Sequence, residues 1–306
     1  MRGTTITRGT PMDEPNPLGL FFEGWALFRE PALAGAVAGA LLGLLGVYVV
    51  LRRIVFLSAA ISQAAGLGVA LAFYGKLHLG LTGLWASPTL GAALLTGLAV
   101  LPFVGSGTQA KHANSLLGAI WLIGAAGTLA VGTRIVNEIS DISDLLFGTA
   151  VAVHPDDFAL LWQVSLALGV LHLWWWRGFA AASFTRDAAR VRGLPVGLID
   201  VVLFATLALA VSMTTRILGA LPTFAFTVLP AVAALALSRS VAMALPLAPL
   251  FGAAGGFGGY LLSFRYNLPV GAAQALAGLG LVLVAHAPGT ALAGVRRIRR
   301  RWAKNP

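Results

Sequence analysis

The sequence predicts an all-α polytopic membrane protein with about eight or nine transmembrane helices. Three observations predict this fold class: hydrophobic residues make up 58% of the 306-residue chain, charged residues only 10%, and there are 37 glycines. Soluble domains average about 45–50% apolar and about 25% charged residues, so one or two globular cores could not bury this much apolar surface. Abundant glycine is typical of closely packed membrane helices. The chain has no cysteine, which excludes a disulfide framework and thiolate metal ligands.

Apolar windows of about 20 residues divide the chain into nine predicted spans. Eight spans are the alternative, with 18–50 or 218–237 only partly crossing. Each span ends at a charged or turn-forming stretch, and the boundaries are expected to hold within about four residues. The nine spans are 31–51, 56–75, 85–105, 113–133, 157–176, 195–215, 218–237, 241–263 and 268–287.

The spans divide the chain into three regions. Residues 1–30 form a polar leader, in which 18–29 is either an interfacial amphipathic helix or a run-in to the first span. Residues 31–287 are the predicted transmembrane domain. Residues 288–306 form a basic tail that is expected to be cytoplasmic.

Basic residues orient the predicted spans. Fourteen of the 21 Lys and Arg follow odd-numbered spans, four follow even-numbered spans, and the N-terminal leader holds the rest. By the positive-inside rule, this distribution predicts a cytoplasmic C-terminus in a multi-pass membrane protein. The net charge of +10 then favours contact with anionic lipids rather than with nucleic acid.

Ionisable residues are nearly absent from the predicted spans. The deepest are His172, near the end of span five, and Asp200, early in span six, and each is expected to be hydrogen-bonded or snorkelling. Carriers driven by protons or sodium usually keep ionisable groups at membrane depth. The sequence also lacks the Gly-rich Lys-Ser/Thr loop that cradles ATP phosphates. These features favour a pore-forming, non-enzymatic subunit whose energy comes from another chain.

The loop after span five contains a predicted short helix. It starts with Ser183 or Thr185 as N-cap, and Gly193 and Pro195 end it. Such a helix between two spans is suited to docking on a motor protein, although an ordinary basic loop is the alternative. The residues proposed for coupling are Thr185, Arg186, Asp187, Arg190 and Gly193.

Four segments between about 22 and 287 resemble the permease subunits of ABC importers for zinc, manganese and iron. The first runs from Arg52-Arg53-Ile-Val-Phe56 to Ile61-Ser62-Gln63-Ala64 and Gly68-Val-Ala-Leu71. The others are Asp144-Leu-Leu-Phe147-Gly148, then Leu218-Gly-Ala-Leu221 with Leu229-Pro-Ala231, and Gly255 with Leu261-Leu-Ser263 and Leu268-Pro-Val-Gly271. Each segment is weakly specific alone, but their order and spacing are typical of this family.

The resemblance implies a dimer of permeases, made by a second copy or a paralogue, in the inner membrane of a bacterium. It also implies a cytoplasmic ABC ATPase that binds ATP and Mg²⁺, and an extracytoplasmic substrate-binding protein. No cofactor is implied in this chain itself. The segment 183–193 would then be the coupling helix, which passes movement of the ATPase to the spans.

The sequence departs from the family pattern in span two. The family carries an Asp and, four residues later, a His, which lie on one helix face and can hold a divalent cation. Ala59 and Gln63 occupy these positions here, with the hydroxyls of Ser58 and Ser62 nearby. We expect these four residues to line the translocation path, and a neutral path of this kind binds Zn²⁺ or Mn²⁺ weakly.

Three explanations of this departure stay open. The solute is different, or the cation uses other ligands such as His78 or His154, or the permease is degenerate or works with a second permease that carries the ligands.

Across function classes, the leading hypothesis is an ABC-importer permease for a divalent metal ion or a metal-bound small solute. The alternatives are a secondary carrier or channel, and a membrane scaffold that does not transport.

Overall fold

A computed structural model describes residues 17–104, 113–135 and 153–302, and for 17, 18 and 288–302 it gives the backbone alone. The regular elements of these ranges are all helical. Two short 3₁₀ helices, Gly83–Ala86 and Leu101–Phe103, flank the fourth α-helix. The α-helices are α1 (Pro17–Glu23), α2 (Trp25–Leu51), α3 (Val55–His78), α4 (Pro88–Val100), α5 (Ala113–Gly132), α6 (Pro155–Trp174), α7 (Trp176–Phe184), α8 (Arg186–Val191), α9 (Val196–Leu218), α10 (Ala220–Leu237), α11 (Val241–Tyr266) and α12 (Val270–Trp302).

Eight of these helices are long and apolar enough to cross a membrane, which confirms the predicted fold class. Among the nine predicted spans the exception is 85–105, whose helix α4 has 13 residues and extends about 20 Å against an apolar core of about 30 Å. The predicted span 85–105 is therefore a short helix with a 3₁₀ turn at each end. The predicted alternative of eight spans agrees with this count, but it placed the incomplete span at 18–50 or 218–237, where α2 and α10 both reach spanning length.

The first span begins at Trp25 rather than at 31. Arg29 and Glu30 lowered the apolar average there, but their side chains pair with each other at 2.7 Å and leave the helix uninterrupted. The short helix α1 packs ahead of it, and the ring of Phe21 lies fully buried against Phe28 and Phe264. The stretch 18–29 is thus part of a short helix and part of the first span.

Glycine holds the centre of the bundle together. Gly35, Gly39 and Gly43, spaced at one turn on α2, meet Gly256, Gly252 and Ala248 of α11. A Cβ added to Gly43 would lie 2.6 Å from the carbonyl oxygen of Ala248, so the two backbones are in direct contact. This close approach is the small-residue packing that the composition predicts for membrane helices.

The helices form a central group and a peripheral group. The apolar stretches of α2, α3, α9 and α10 are more than half buried, whereas those of α5 and α6 are less than a quarter buried. The exposed side chains of the peripheral helices are mostly Leu, Ile, Val and Trp. The exposed apolar side chains suit a membrane. Most of the buried polar side chains in the described ranges lie on the central group.

Candidate functional site

The four residues predicted to line a path lie on α3, and three of them are buried. The hydroxyl of Ser58 donates to the carbonyl of Val55 at 2.7 Å, and that of Ser62 donates to the carbonyl of Ala59 at 3.0 Å. Both serines and Ala59 are buried in the single chain. Since each hydroxyl proton is used within α3, these serines offer only oxygen lone pairs to another ligand.

Gln63 packs against α5. Its Cβ lies 2.8 Å from the position that a Cβ would take on Gly124 of α5, so only glycine fits opposite it. The Oε1 atom of Gln63 is buried and has no hydrogen-bond donor among the described residues. A buried carbonyl oxygen without a donor costs about 1–3 kcal/mol. Gln63 therefore brings an unused acceptor, and no charge, to the α3–α5 contact.

The two histidines considered as alternative metal ligands are exposed. The ring of His78 stacks on Tyr74, with centroids 4.5 Å apart, and His154 Nδ1 lies 3.8 Å from Asp156 Oδ2. Within 17–104, 113–135 and 153–287, no group of three or more His, Asp or Glu side chains could hold a metal ion. A role of His78 or His154 in metal binding stays a prediction. The motif at 144–148 lies outside the described residues.

The short helix predicted between spans five and six is present as α8. Thr185 occupies the N-cap position, without a side-chain bond to the helix, and the prediction of Ser183 as an alternative N-cap is wrong. Ser183 lies at the end of α7 instead, where its hydroxyl donates to the carbonyl of Phe179 at 2.6 Å. At the other end, Gly193 has a φ of +76°. The amides of Gly193 and Leu194 close the last turn, as is typical of a glycine-terminated helix.

Helix α8 has an inner and an outer face. Ala189 is buried on the inner face, and Arg186 also points inward, with 21% of its side chain exposed. Asp187 and Arg190 are exposed on the outer face, 3.5 Å apart, and 88% of the surface of Val191 is accessible. The five predicted coupling residues therefore do not form one surface, since Arg186 belongs to the interior.

A buried carboxylate receives Arg186. Asp200, in the first turns of α9, is fully buried, and its Oδ2 accepts a hydrogen bond from Arg186 Nη2. Its Oδ1 accepts one from Nη1 of Arg52, at the end of α2, at 2.6 Å. Nε of Arg52 also donates to Ser183 Oγ at 3.1 Å. We call Arg52, Ser183, Arg186 and Asp200 the Asp200 cluster.

Electrostatics explain why this cluster stays intact. A buried carboxylate is tolerated only when it is paired, and each oxygen of Asp200 has an arginine. Burial lowers the pKa of the Arg52 guanidinium, and the hydrogen bond and charge of Asp200 oppose that shift. The expectation that Asp200 is hydrogen-bonded is confirmed. The sequence did not indicate which residues pair with it.

A second ion pair lies at the opposite end of α9. Arg216 Nη2 lies 2.8 Å from Oδ1 of Asp157 in the first turn of α6, and its Nη1 donates to Thr89 of α4 at 2.6 Å. We call Thr89, Asp157 and Arg216 the Asp157 cluster. The two clusters place Arg52 and Arg216 at opposite ends of the bundle, as the predicted order of the spans requires.

His172 is a buried structural histidine. Its Nε2 lies 2.8 Å from Thr206 Oγ1, and its ring stacks on Phe179 with centroids 4.3 Å apart. Since the Thr206 hydroxyl also reaches the carbonyl of Val202 at 2.8 Å, we assign the proton of this contact to His172 Nε2. The expectation that His172 is hydrogen-bonded is confirmed, and the contact fastens α6 to α9.

Comparison with known proteins places these features in a family context. Residues 25–288 match the model of the ABC 3 transport family. The zinc transport system membrane protein TroC of Treponema pallidum is 28% identical, over 84% of this chain and 89% of that protein. The manganese transport system membrane protein MntC of Listeria monocytogenes is 24% identical, over 84% of this chain and 90% of that protein. A chain of PsaBC from Streptococcus pneumoniae, solved in complex with Fab, shares the fold with a TM-score of 0.74 and 22% identity, over 88% of this chain and 95% of that chain.

Proposed function

Because this chain belongs to the ABC 3 transport family, we propose that it is the membrane-spanning permease subunit of an ATP-driven importer in a bacterial inner membrane. The observation that carries the proposal is the family match, which covers residues 25–288 and so nearly all of the membrane helices. ATP hydrolysis, with Mg²⁺, belongs to a partner ATPase in this scheme. The chain itself contributes the path for the solute.

The ATPase docks on the outer face of α8. Asp187, Arg190 and Val191 are exposed there, and they combine two opposite charges with an apolar side chain. If α8 lies at the cytoplasmic face, the C-terminus is cytoplasmic too, and the basic sequence of the tail favours anionic lipids. The substrate-binding protein then docks at the opposite end of the bundle, where α3 ends and α4 begins.

Two permeases together enclose the path. The second is another copy of this chain or a paralogue, and the seam between them is made by helices whose apolar faces are exposed in the single chain. Helix α3 contributes Ser58, Ala59, Ser62 and Gln63 to the path. The serines are buried in the single chain, so a solute reaches them only if the helices packed around them separate.

The transported solute is a metal-bound small molecule or a weakly held divalent ion. The relatives TroC and MntC are named for zinc and manganese transport, which supports a metal-related solute. The neutral groups on α3 argue against tight capture of a bare ion, because its desolvation would have no compensating charge. A chelated solute brings its own ligands and needs only hydrogen bonds such as Gln63 Oε1 accepts.

Co-purification tests the proposal. The tagged chain, expressed with a candidate ABC ATPase, is expected to retain the ATPase in detergent. Replacing Asp187 and Arg190 together by Ala should release the ATPase. Lys76→Ala removes a charge from the last turn of α3, at the end of the bundle opposite α8, and should not release it. An ATPase that never associates with the wild-type chain would favour the second candidate function, a carrier or channel that works alone.

A further inference from the structure

Asp200 joins the segment 183–193, which contains α8, to two central helices. Each of its oxygens accepts a hydrogen bond from a different element: Arg52 follows α2, and Arg186 begins α8. Since Asp200 itself lies on α9, one carboxylate ties three parts of the chain. We infer that Asp200 is a positioning residue that makes α8 move together with α2 and α9, an inference that rests on the proposed role of α8 in docking an ATPase.

A second contact from Arg52 strengthens the link. Its Nε reaches Ser183 at the end of α7, just ahead of α8, so the segment is held at Ser183 and again at Arg186. The backbone of Arg52 is fixed as well, because its amide closes the last turn of α2 on Tyr48. A displacement of α8 therefore reaches α2 through a side chain that has little freedom to absorb it.

Apolar packing completes the attachment. Ala189 of α8 shares one buried cluster with Val196, Ile199 and Leu203 of α9, and with Tyr48 of α2. The inner face of α8 is thus seated on the same two helices that the carboxylate ties together. Only the outer face remains exposed, so a displacement of that face is transmitted to α2 and α9.

The charges of the Asp200 cluster determine which substitution gives an informative test. Two arginines share one carboxylate, and Nη2 of Arg52 is buried without a hydrogen-bond partner in the described part of the chain. Removing Asp200 would leave two buried cations uncompensated and could prevent folding. Removing Arg186 leaves the Arg52–Asp200 pair neutral, so Arg186→Gln should fold and yet detach α8.

Hydrogen exchange on the purified full chain tests the attachment without any ATPase. Arg186→Gln should speed exchange of the amides at 185–193 by at least about tenfold, because a hydrogen bond between charged groups is lost, and should leave α2 and α9 protected. Arg186→Lys should restore much of the protection. Arg192→Gln, the same change at an exposed position of the segment, should have no effect. Equal exchange in Arg186→Gln and wild type would overturn the inference.

Reconstitution with the ATPase tests the mechanical role. Arg186→Gln should keep ATP hydrolysis while the amount of solute moved per ATP falls by about tenfold, and Arg186→Lys should recover coupling. Unchanged coupling in Arg186→Gln would overturn the positioning role even if exchange is faster. If no ATPase binds the wild-type chain, the proposed function fails, and that result is distinct from either readout on Arg186.

Discussion

Asp200 and Arg216 lie at opposite ends of α9, about 24 Å apart along its axis, and each is ion-paired to another helix. Asp200 pairs with Arg52 after α2, and Arg216 pairs with Asp157 of α6. Helix α9 is therefore fastened at both ends of the bundle. This arrangement makes α9 the structural link between the segment that contains α8 and the opposite face of the molecule.

The Arg216–Asp157 pair should contribute measurably to stability. Both side chains are more than two-thirds buried, so we expect a coupling energy of about 1 kcal/mol, between that of exposed and fully buried pairs. Thermal unfolding of Arg216→Ala, Asp157→Ala and the double variant in detergent would measure it. Asp156→Ala is the matched control, because its side chain is 96% exposed. Equal losses from Asp156→Ala and Asp157→Ala would contradict the assignment.

The α2–α11 seam should not tolerate a side chain at Gly39. A Cβ there would overlap the carbonyl oxygen of Gly252, so Gly39→Ala should destabilise the fold by about 1–3 kcal/mol or prevent its insertion. Gly258→Ala on α11 is the control, since a Cβ at Gly258 meets nothing within 4 Å. Size-exclusion profiles and melting temperatures of the two variants distinguish them. A Gly39→Ala variant as stable as Gly258→Ala would mean that the two helices do not touch there.

Gly193 should be needed for its backbone conformation alone. Its φ of +76° is strained for any other residue, and a Cβ there would meet nothing within 4 Å. Gly193→Ala should therefore cost about 1 kcal/mol in the local stability of α8, visible as faster hydrogen exchange at 185–193. Gly197→Ala, a few residues away, has equal space and no such φ, and should leave that exchange unchanged. If both variants behave alike, the left-handed turn is not what ends α8.

The neutral character of α3 leads to a prediction about metal binding. The wild-type chain should retain Zn²⁺ or Mn²⁺ weakly, and Ala59→Asp combined with Gln63→His should create measurable binding, because a carboxylate and an imidazole one turn apart can share an ion. Calorimetry on both purified proteins makes the comparison. Ala59→Asn with Gln63→His is the control, since it keeps the size and removes the charge.

Tight, stoichiometric metal in the wild type would contradict this account of α3. Loss of that metal on replacing His78 or His154, but not Gln63, would show that the cation uses other ligands. If the double variant folds but binds no metal, Ala59 and Gln63 do not face a common path. In that case the contact of Gln63 with Gly124 is a packing contact only.

Most of the helices could be predicted from hydropathy, because an apolar run of about 20 residues usually indicates a transmembrane helix. The end of α8 could also be predicted, because helices commonly end at a glycine that adopts the left-handed backbone conformation. The start of α2 was missed because Arg29 and Glu30 read as polar, although they neutralise each other. The third span was predicted too long, because apolar residues continue on both sides of α4 in the two 3₁₀ turns.

The candidate site was harder to predict than the helices. Asp200 is an obvious isolated charge, but its partner Arg52 lies 148 positions earlier, and no local pattern connects them. Arg186 was assigned to a docking surface from its place on α8, and only the packing of α8 on α9 turns it inward. The proposed path between two permeases could not be derived from the pattern of a single chain. Such contacts depend on how helices pack, which periodicity does not encode.

Uptake by proteoliposomes tests the central claim most directly. The chain would be reconstituted with the proposed ATPase and substrate-binding protein, and a panel of free and chelated divalent cations supplied on the side of the binding protein. The account predicts uptake only when ATP and the ATPase are both present on the α8 side, with none from the chain alone. Equal uptake by the chain without ATPase or ATP would contradict the account, and would identify a carrier or channel that works on its own.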